Sequence, residues 1–371
     1  MRITRGTKIA AIAAAGVLAL AACSESSDDG NGDSSVDASS LQIDCVDGKL
    51  SAEGSSAQKN AMFQWIKLYQ ENCGDSTVNY NPTGSGAGIK QFIAGQVDFA
   101  GSDAYLNASK NEVADAEKRC DAPAWNLPMV AGPIGIPINI EGVDTLTLDG
   151  ETIAKIFTGE IDQWDDEAIA SQNDGVSLPS EQIAVFFRSD ESGTQKSFTS
   201  YLNTVAPEVW TMEPDKAWPS GAAPQAEGRE KSSGVLEAVL TTSNSIAFLD
   251  WSDILAAQLG TVAVDTGSGG VALSEEAASA AVAAGEVVGT GNNLRIDLDY
   301  ATTEPGVYPI VQLTYEIVCS TGLDADKTDL LKSFLGFAAS DDGQSVLPSL
   351  GFTPLPDDIK AKVQTAVTEI S

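Results

Sequence analysis

Three short stretches of this chain combine glycine with small hydroxyl residues. They are Gly54-Ser55-Ser56-Ala57, Thr83-Gly84-Ser85-Gly86-Ala87-Gly88 and Ser192-Gly193-Thr194, and Arg188 stands just upstream of the third. Glycine lets a ligand approach backbone N–H groups, and serine or threonine adds a hydroxyl donor. The chemistry this favours is the holding of an oxyanion. One such turn is an ordinary helix cap. Three of them, one with an arginine, point to a shared anion. Asp103, in the polar turn Gly101-Ser102-Asp103, is either a turn residue or an acceptor facing that anion.

The elements that position these residues are legible around them. Each glycine stretch follows a short strand: Leu50 to Glu53, Val78 to Tyr80, and Ala184 to Phe187 ending on Arg188. Each precedes apolar residues at helical spacing: Met62, Trp65, Ile66 and Tyr69; Ile89, Phe92 and Ile93; Phe198, Tyr201 and Leu202. A helix start leaves its first N–H groups unpaired and directed outward. Val97 to Ala100 is a fourth strand, running into Asp103. The pattern predicts an α/β fold.

Nucleotide-binding motifs fail on spacing. Gly84 to Lys90 is close to a phosphate-binding loop, but Ile89 stands where the second glycine must be. Gln91 follows Lys90 in place of serine or threonine, and the dinucleotide pattern fails at Ile89 as well.

Composition removes whole classes of chemistry. The chain has no histidine, which excludes histidine triads, dyads and metal ligands. Its formal charge is −32, from 21 basic and 53 acidic residues, which makes nucleic acid a poor partner. An anion in such a protein must be held by short-range dipoles in a pocket. No cofactor and no metal are expected, and the chain is expected not to be an enzyme.

The first residues read as an address. Arg2, Arg5 and Lys8 precede an apolar run from Ile9 to Ala22, too short to span a bilayer. The run ends Leu20-Ala21-Ala22-Cys23, the pattern of a lipobox. Residues 1–22 are therefore expected to be a lipoprotein signal peptide, with Cys23 lipidated on the extracytoplasmic face of the cell membrane. Residues 23–40, rich in serine and acid, read as a disordered tether. The remainder is long enough for two domains.

Four further cysteines, Cys45, Cys73, Cys120 and Cys319, suggest two disulfides in an exported chain. Three pairings are open. The expectation favoured here is Cys73 with Cys120 and Cys45 with Cys319.

Together these segments resemble the periplasmic phosphate-binding proteins of the PstS family, the substrate-binding subunit of the phosphate-specific ABC importer. The resemblance also rests on Val97-Asp98-Phe99, Gly159-Glu160-Ile161 through Trp164 to Ala170, and Arg188-Ser189-Asp190-Glu191-Ser192-Gly193-Thr194. It spans nearly all of residues 41–371. It implies a two-lobed periplasmic-binding-protein fold with a hinge and the ligand in the interlobe cleft. The implied lobes are residues 41–139 with 304–371, and residues 140–303. The implied ligand is inorganic phosphate, the implied partners are the permease subunits, and the implied state is a monomer. By motif position, Ser56 and Ala57 would donate backbone N–H groups, with the Ser56 hydroxyl added. Ser85 would donate through hydroxyl and backbone, and Asp103 would accept the ligand's proton. Arg188 would be the charged contact, steadied by Asp190. Ser192, Gly193 and Thr194 would complete the shell. Two departures stand out. Ala57-Gln58 replace the bulky aromatic and proline of many relatives, and Glu191 replaces a common glycine, adding a negative charge at the rim.

Phosphate keeps at least one proton at neutral pH and sulfate keeps none. A carboxylate at Asp103 would accept that proton and repel sulfate. A binding protein for sulfate, molybdate or a phosphonate would keep the helix starts without needing the acceptor. A secreted phosphatase using Ser192 or Thr194, and a sensor or adhesin on the same scaffold, are rivals of other classes.

Overall fold

The computed structural model describes residues 41–371; the leader, Cys23 and the acidic tether lie outside the described residues. Two lobes are each built on one sheet. The first sheet has six strands in the order Leu249–Asp250, Ala124–Gly135, Val311–Cys319, Phe99–Ser102, Gly48–Gly54 and Ser76–Asn81. Its central strand VQLTYEIVC is buried along its whole length, as a strand with both faces covered must be. It pairs antiparallel with Ala124–Gly135, from Cys319 opposite Ala124 to Val311 opposite Pro133. The other side of the sheet is parallel. Gly48–Gly54 lies between Ser76–Asn81 and Phe99–Ser102, and helices Lys59–Asn72 and Ser85–Ile93 make the crossovers.

The second sheet runs Gly270–Val271, Gly260–Asp265, Pro137–Asn139, Ser245–Ile246, Ala184–Arg188 and Glu227–Arg229, with Thr145–Asp149 added parallel to Gly260–Asp265. Among the described residues the chain crosses between the two sheets four times, and two of the crossings are short. Ala124–Gly135 continues across Ile136 into Pro137–Asn139, and Ser245–Ile246 leads within three residues to Leu249, which pairs with Gly135 of the first sheet.

Aromatic side chains fill each lobe. In the second, Phe198 stacks on Phe248 with ring centroids 4.5 Å apart, and Phe157 meets Phe198 edge-on at 4.8 Å. In the first, Tyr69 meets Phe334 edge-on at 5.5 Å. Such pairs contribute about 0.5–1.5 kcal/mol each beyond their area burial.

The disulfides join Cys45 to Cys73 and Cys120 to Cys319, which corrects the expected pairing of Cys73 with Cys120 and Cys45 with Cys319. Strand register is the reason. Gly48 lies opposite Ser76, so Cys45 just before one strand meets Cys73 just before its parallel neighbour. Cys319 lies opposite Ala124, which brings it beside Cys120 at the end of helix Glu112–Cys120. Among the described residues, no helix is long and apolar enough to cross a membrane.

Candidate functional site

The three parallel strands of the first sheet end at one edge. Gly54 lies opposite Gly101 in register, so the turn at Ser55 and the turn at Asp103 leave the sheet side by side. The Gly84 N–H donates to the Gly54 carbonyl at 2.7 Å, which ties the third turn to the first. Facing them, strand Ala184–Arg188 of the second sheet ends on Arg188 and leads to helix Gly193–Val205. The carboxyl ends of strands thus meet across a crevice, the usual ligand position in open α/β sheets.

Asp103 is 5 % exposed and is the acceptor on which four hydroxyls converge. Its Oδ1 accepts from Ser55 at 2.5 Å and Thr314 at 2.8 Å. Its Oδ2 accepts from Ser85 at 3.0 Å and Thr194 at 3.4 Å. The Asp103 N–H donates back to Ser85 Oγ at 3.1 Å. Three of these hydroxyls come from the first lobe and Thr194 from the second.

Arg188 is 2 % exposed and forms a fork with Asp190, Nε to Oδ1 at 2.8 Å and Nη2 to Oδ2 at 2.5 Å. Its Nη1 reaches Ser232 Oγ at 3.3 Å, and Gln195 Oε1 accepts from its backbone N–H at 3.1 Å. Asp190 also accepts from the Lys231 N–H at 2.9 Å. Burial works to raise the Asp190 carboxyl, but the Arg188 guanidinium and this N–H outweigh it and hold the group below the usual carboxylate range.

Close approach of the lobes needs two glycines. A Cβ on Gly193 would lie 2.6 Å from Asp103 Cβ and 2.8 Å from Ser85 Oγ. Gly84, at φ +102°, would place a Cβ 2.5 Å from Asp190 Oδ2. Helices Ser85–Ile93 and Gly193–Val205 therefore start against the same few atoms, and their first N–H groups have no acceptor within their own helices.

The structure gathers the residues singled out from sequence. Ser85, Asp103, Gly193 and Thr194 are in mutual contact. Ser56 Oγ meets Ser232 Oγ at 3.0 Å and accepts from the Ser232 N–H at 3.3 Å, which connects it to Arg188. The Ala57 N–H points at Ser55 Oγ, 3.2 Å away. Ser192 caps its own helix, accepting from the Gln195 N–H at 3.3 Å. Glu191 lies across the crevice from Lys90, Oε2 to Nζ 2.9 Å.

Sequence reasoning missed Ser55, Ser232, Thr314 and Glu316. Ser55 shares its motif with Ser56, the serine expected to donate. Ser232 sits in Lys231-Ser232-Ser233-Gly234, another hydroxyl–glycine helix start, so a signal was present. Thr314 and Glu316 lie mid-strand and carry none. Glu316 is fully buried, and burial pushes its carboxyl up to about 8. The Gln58 amide opposes this in part and the Asp103 charge adds to it.

Further ion pairs span the crevice: Lys110 with Asp215 at 2.6 Å and Lys216 with Glu112 at 2.5 Å. Beside Asp103 the crevice continues as a cavity of about 290 Å³, bordered by Tyr105, Lys196 and Tyr300. Among the described residues, no cluster of acidic or cysteine side chains could hold a metal ion.

Comparison with known proteins adds an independent line. A family model described as a PBP superfamily domain matches residues 39–342. The chain is 40 % identical over 376 residues to phosphate-binding protein PstS 3 of Mycobacterium tuberculosis, covering 100 % of both chains. It is 40 % identical over 369 residues to the Mycobacterium leprae PstS 3, covering 97 % of this chain and 98 % of that one. Among solved structures, the phosphate-binding protein PfluDING with bound phosphate superposes with a TM-score of 0.70 at 21 % identity, covering 86 % of this chain and 93 % of that one. A phosphate-binding protein from Stenotrophomonas maltophilia gives 0.67 at 18 %, with coverage of 86 % and 93 %. These structural matches speak to the fold.

Proposed function

The chain belongs to the PBP superfamily and to the PstS phosphate-binding proteins within it, and from that premise we propose that it captures inorganic phosphate in the interlobe crevice and delivers it to an ABC importer. The observation that carries this reading is Asp103: a buried carboxylate, ringed by hydroxyls, beside an arginine and two helix starts. An oxyanion without a proton has no use for that carboxylate. Phosphate does, because its P–OH donates to an Asp103 oxygen.

Capture needs little rearrangement. Hydroxyl rotors turn at small cost, so Ser85 and Thr194 can swing from Asp103 to phosphate oxygens while Asp103 accepts from the P–OH. The N–H groups of Ser56, Ala57, Ser85, Gly193 and Thr194 and the hydroxyls of Ser56 and Ser192 supply neutral donors. Arg188 supplies the positive charge, kept in plane by Asp190. The two lobes, one on each sheet, are hinged where strands pass between the sheets, and closure buries the ion. Cys23 carries the lipid that anchors a monomer at the membrane, where permease subunits receive the cargo. The reading is of a binding protein that turns over no ester.

Calorimetric titration of protein stripped of bound anion, with phosphate and sulfate in parallel, tests it. Micromolar or tighter phosphate binding with no sulfate binding is expected. Equal affinity for the two, or hydrolysis of a chromogenic phosphate ester, sinks it.

A further inference from the structure

Glu316 lies two residues beyond Thr314 on the central strand, so their side chains share a face of the sheet. Thr314 donates to Asp103; Glu316 stands opposite Gly101, two residues before Asp103. Among the described residues, no donor meets either carboxyl oxygen of Glu316 in hydrogen-bond geometry. The Gln58 amide beside it offsets only part of the cost of burial, so the neutral acid is favoured over the carboxylate.

Among the described residues, no cation compensates Glu316. Gln58 gives its amide N–H to Tyr80 at 3.1 Å, and Tyr80 donates to the Ser55 carbonyl at 2.7 Å. Burial raises the Tyr80 phenol far above its ordinary value, with Glu316, Asp103 and Glu53 adding to the rise. Helices Lys59–Asn72 and Ala325–Ala338 cover this face with Met62, Trp65, Tyr69 and Phe334. Their lysines are engaged elsewhere or exposed: Lys59 with Asp253, Lys327 with Asp98, Lys332 with the Ile370 carbonyl, and Lys67 in solvent. Lys360 and Lys362 of the last helix pair with Asp341, Asp357 and Asp358. On the far side of Thr314, Gln312 donates to the buried Asp250 at 3.1 Å, whose carboxyl is raised by burial and by Asp253. Asp103 is thus flanked by Glu316 of this strand and by Asp250, held by Gln312 of the same strand, two carboxyls whose burial favours the acid.

We propose that Glu316 is a proton site coupled to the anion seat: phosphate dianion entering beside Asp103 draws a proton from alkaline solution onto the Glu316 carboxylate, so that the loaded protein carries it as the acid. This rests on the phosphate reading above. The proton comes from water or buffer acid, and one negative charge inside the protein is neutralised as the anion's charge enters. Burial pushes Glu316 up to about 8, so the free protein favours it as the acid at pH 7 and increasingly as the carboxylate as pH rises to 9. The sign follows: the acid form favours the anion, so its contribution to binding is present at pH 7 and fades as pH rises past 8.

The test compares wild type with Glu316→Gln, titrated with phosphate at pH 7 and pH 9 in two buffers of different ionisation enthalpy. Phosphate's own ionisation is common to both proteins and cancels in the ratio. Glutamine fills the same volume, and its amide can donate to the unpartnered Gln58 Oε1. Expected are affinities within about threefold of each other at pH 7 and wild type weaker by about five- to tenfold at pH 9, with uptake of nearly one extra proton per phosphate. Binding at pH 7 with identical pH dependence in the two proteins overturns the proton site alone. Absence of phosphate binding at pH 7 in wild type overturns the cleft reading and this proposal with it. If the variant does not fold, infrared spectra of wild type decide. The carboxylic acid band should weaken between pH 7 and 9 without phosphate and persist with it; equal loss in both states refutes the coupling.

Discussion

Glu191 of the second lobe is held at two points by helix Ser85–Ile93 of the first: its carboxylate pairs with Lys90 at 2.9 Å and its carbonyl accepts from the Gly86 N–H at 3.0 Å. The negative charge at the rim therefore has a partner, and the partner lies across the crevice. The pair is exposed, so solvent screening limits it to about 0–1 kcal/mol. Glu191→Gln is expected to weaken phosphate binding by less than about fivefold, mainly through faster release, because the backbone contact remains. Stopped-flow release rates at low and high salt check this: the variant's rate should depend less on salt than wild type's.

Gly193 sets how closely the two lobes can approach. Its missing side chain is what allows Asp103 and Ser85 of the first lobe to meet the helix start of the second. Gly193→Ala places a methyl group 2.6 Å from Asp103 Cβ, a distance real Cβ atoms do not tolerate. The lobes themselves are untouched, so thermal stability without ligand should stay within about 1 kcal/mol of wild type, the ordinary range for a substitution away from core packing. Phosphate affinity should fall at least about tenfold, or ~1.4 kcal/mol. Scattering profiles should show the compaction on phosphate addition reduced or lost; full compaction with unchanged affinity would show that the lobes close without this contact.

Arg188 is a buried cation at the crevice, and its fork with Asp190 fixes the plane of the guanidinium. A charge-assisted hydrogen bond is worth about 1.5–3 kcal/mol, and removing one buried partner leaves the other uncompensated. Arg188→Ala is expected to weaken phosphate binding by about ten- to a thousandfold on that scale. Arg188→Lys keeps the charge and loses the fork, so it should fall between the two. Calorimetry on all three proteins measures the order; wild-type affinity in the alanine variant would displace the seat from this end of the strand.

What could be foreseen divides along physical lines. Ser85, Arg188 and Thr194 announce themselves because helix starts are local events, written in glycine and hydroxyl residues next to an apolar period. Thr314 and Glu316 sit in VQLTYEIVC, where alternating polar residues suggest a half-exposed strand; they are buried because the strand pairs on both edges and is covered on both faces. The disulfides turned on register, which places element ends beside one another and which no cysteine spacing encodes. Glu191 looked like an isolated charge because its partner belongs to a different glycine motif far away in sequence.

Asp103 offers the sharpest test, because its geometry allows two roles. As a structural residue it would serve only to organise Ser55, Ser85, Thr194 and Thr314. As a ligand acceptor it would also discriminate between anions by their protons. Asp103→Asn separates these. The amide oxygen still accepts from two of the hydroxyls, and removal of a negative charge beside an anion offsets part of the lost acceptor strength. Phosphate should therefore lose modestly. Sulfate gains, because repulsion is gone and the amide N–H can donate to it. The gap between the two affinities should narrow by at least about tenfold, or ~1.4 kcal/mol. A purely structural Asp103 predicts instead that both anions weaken together and the gap holds. Parallel titrations of both proteins with both anions at one pH distinguish the outcomes. A third result, in which the variant binds neither anion yet melts like wild type, would mean that hydroxyl organisation by Asp103 is itself the condition for binding.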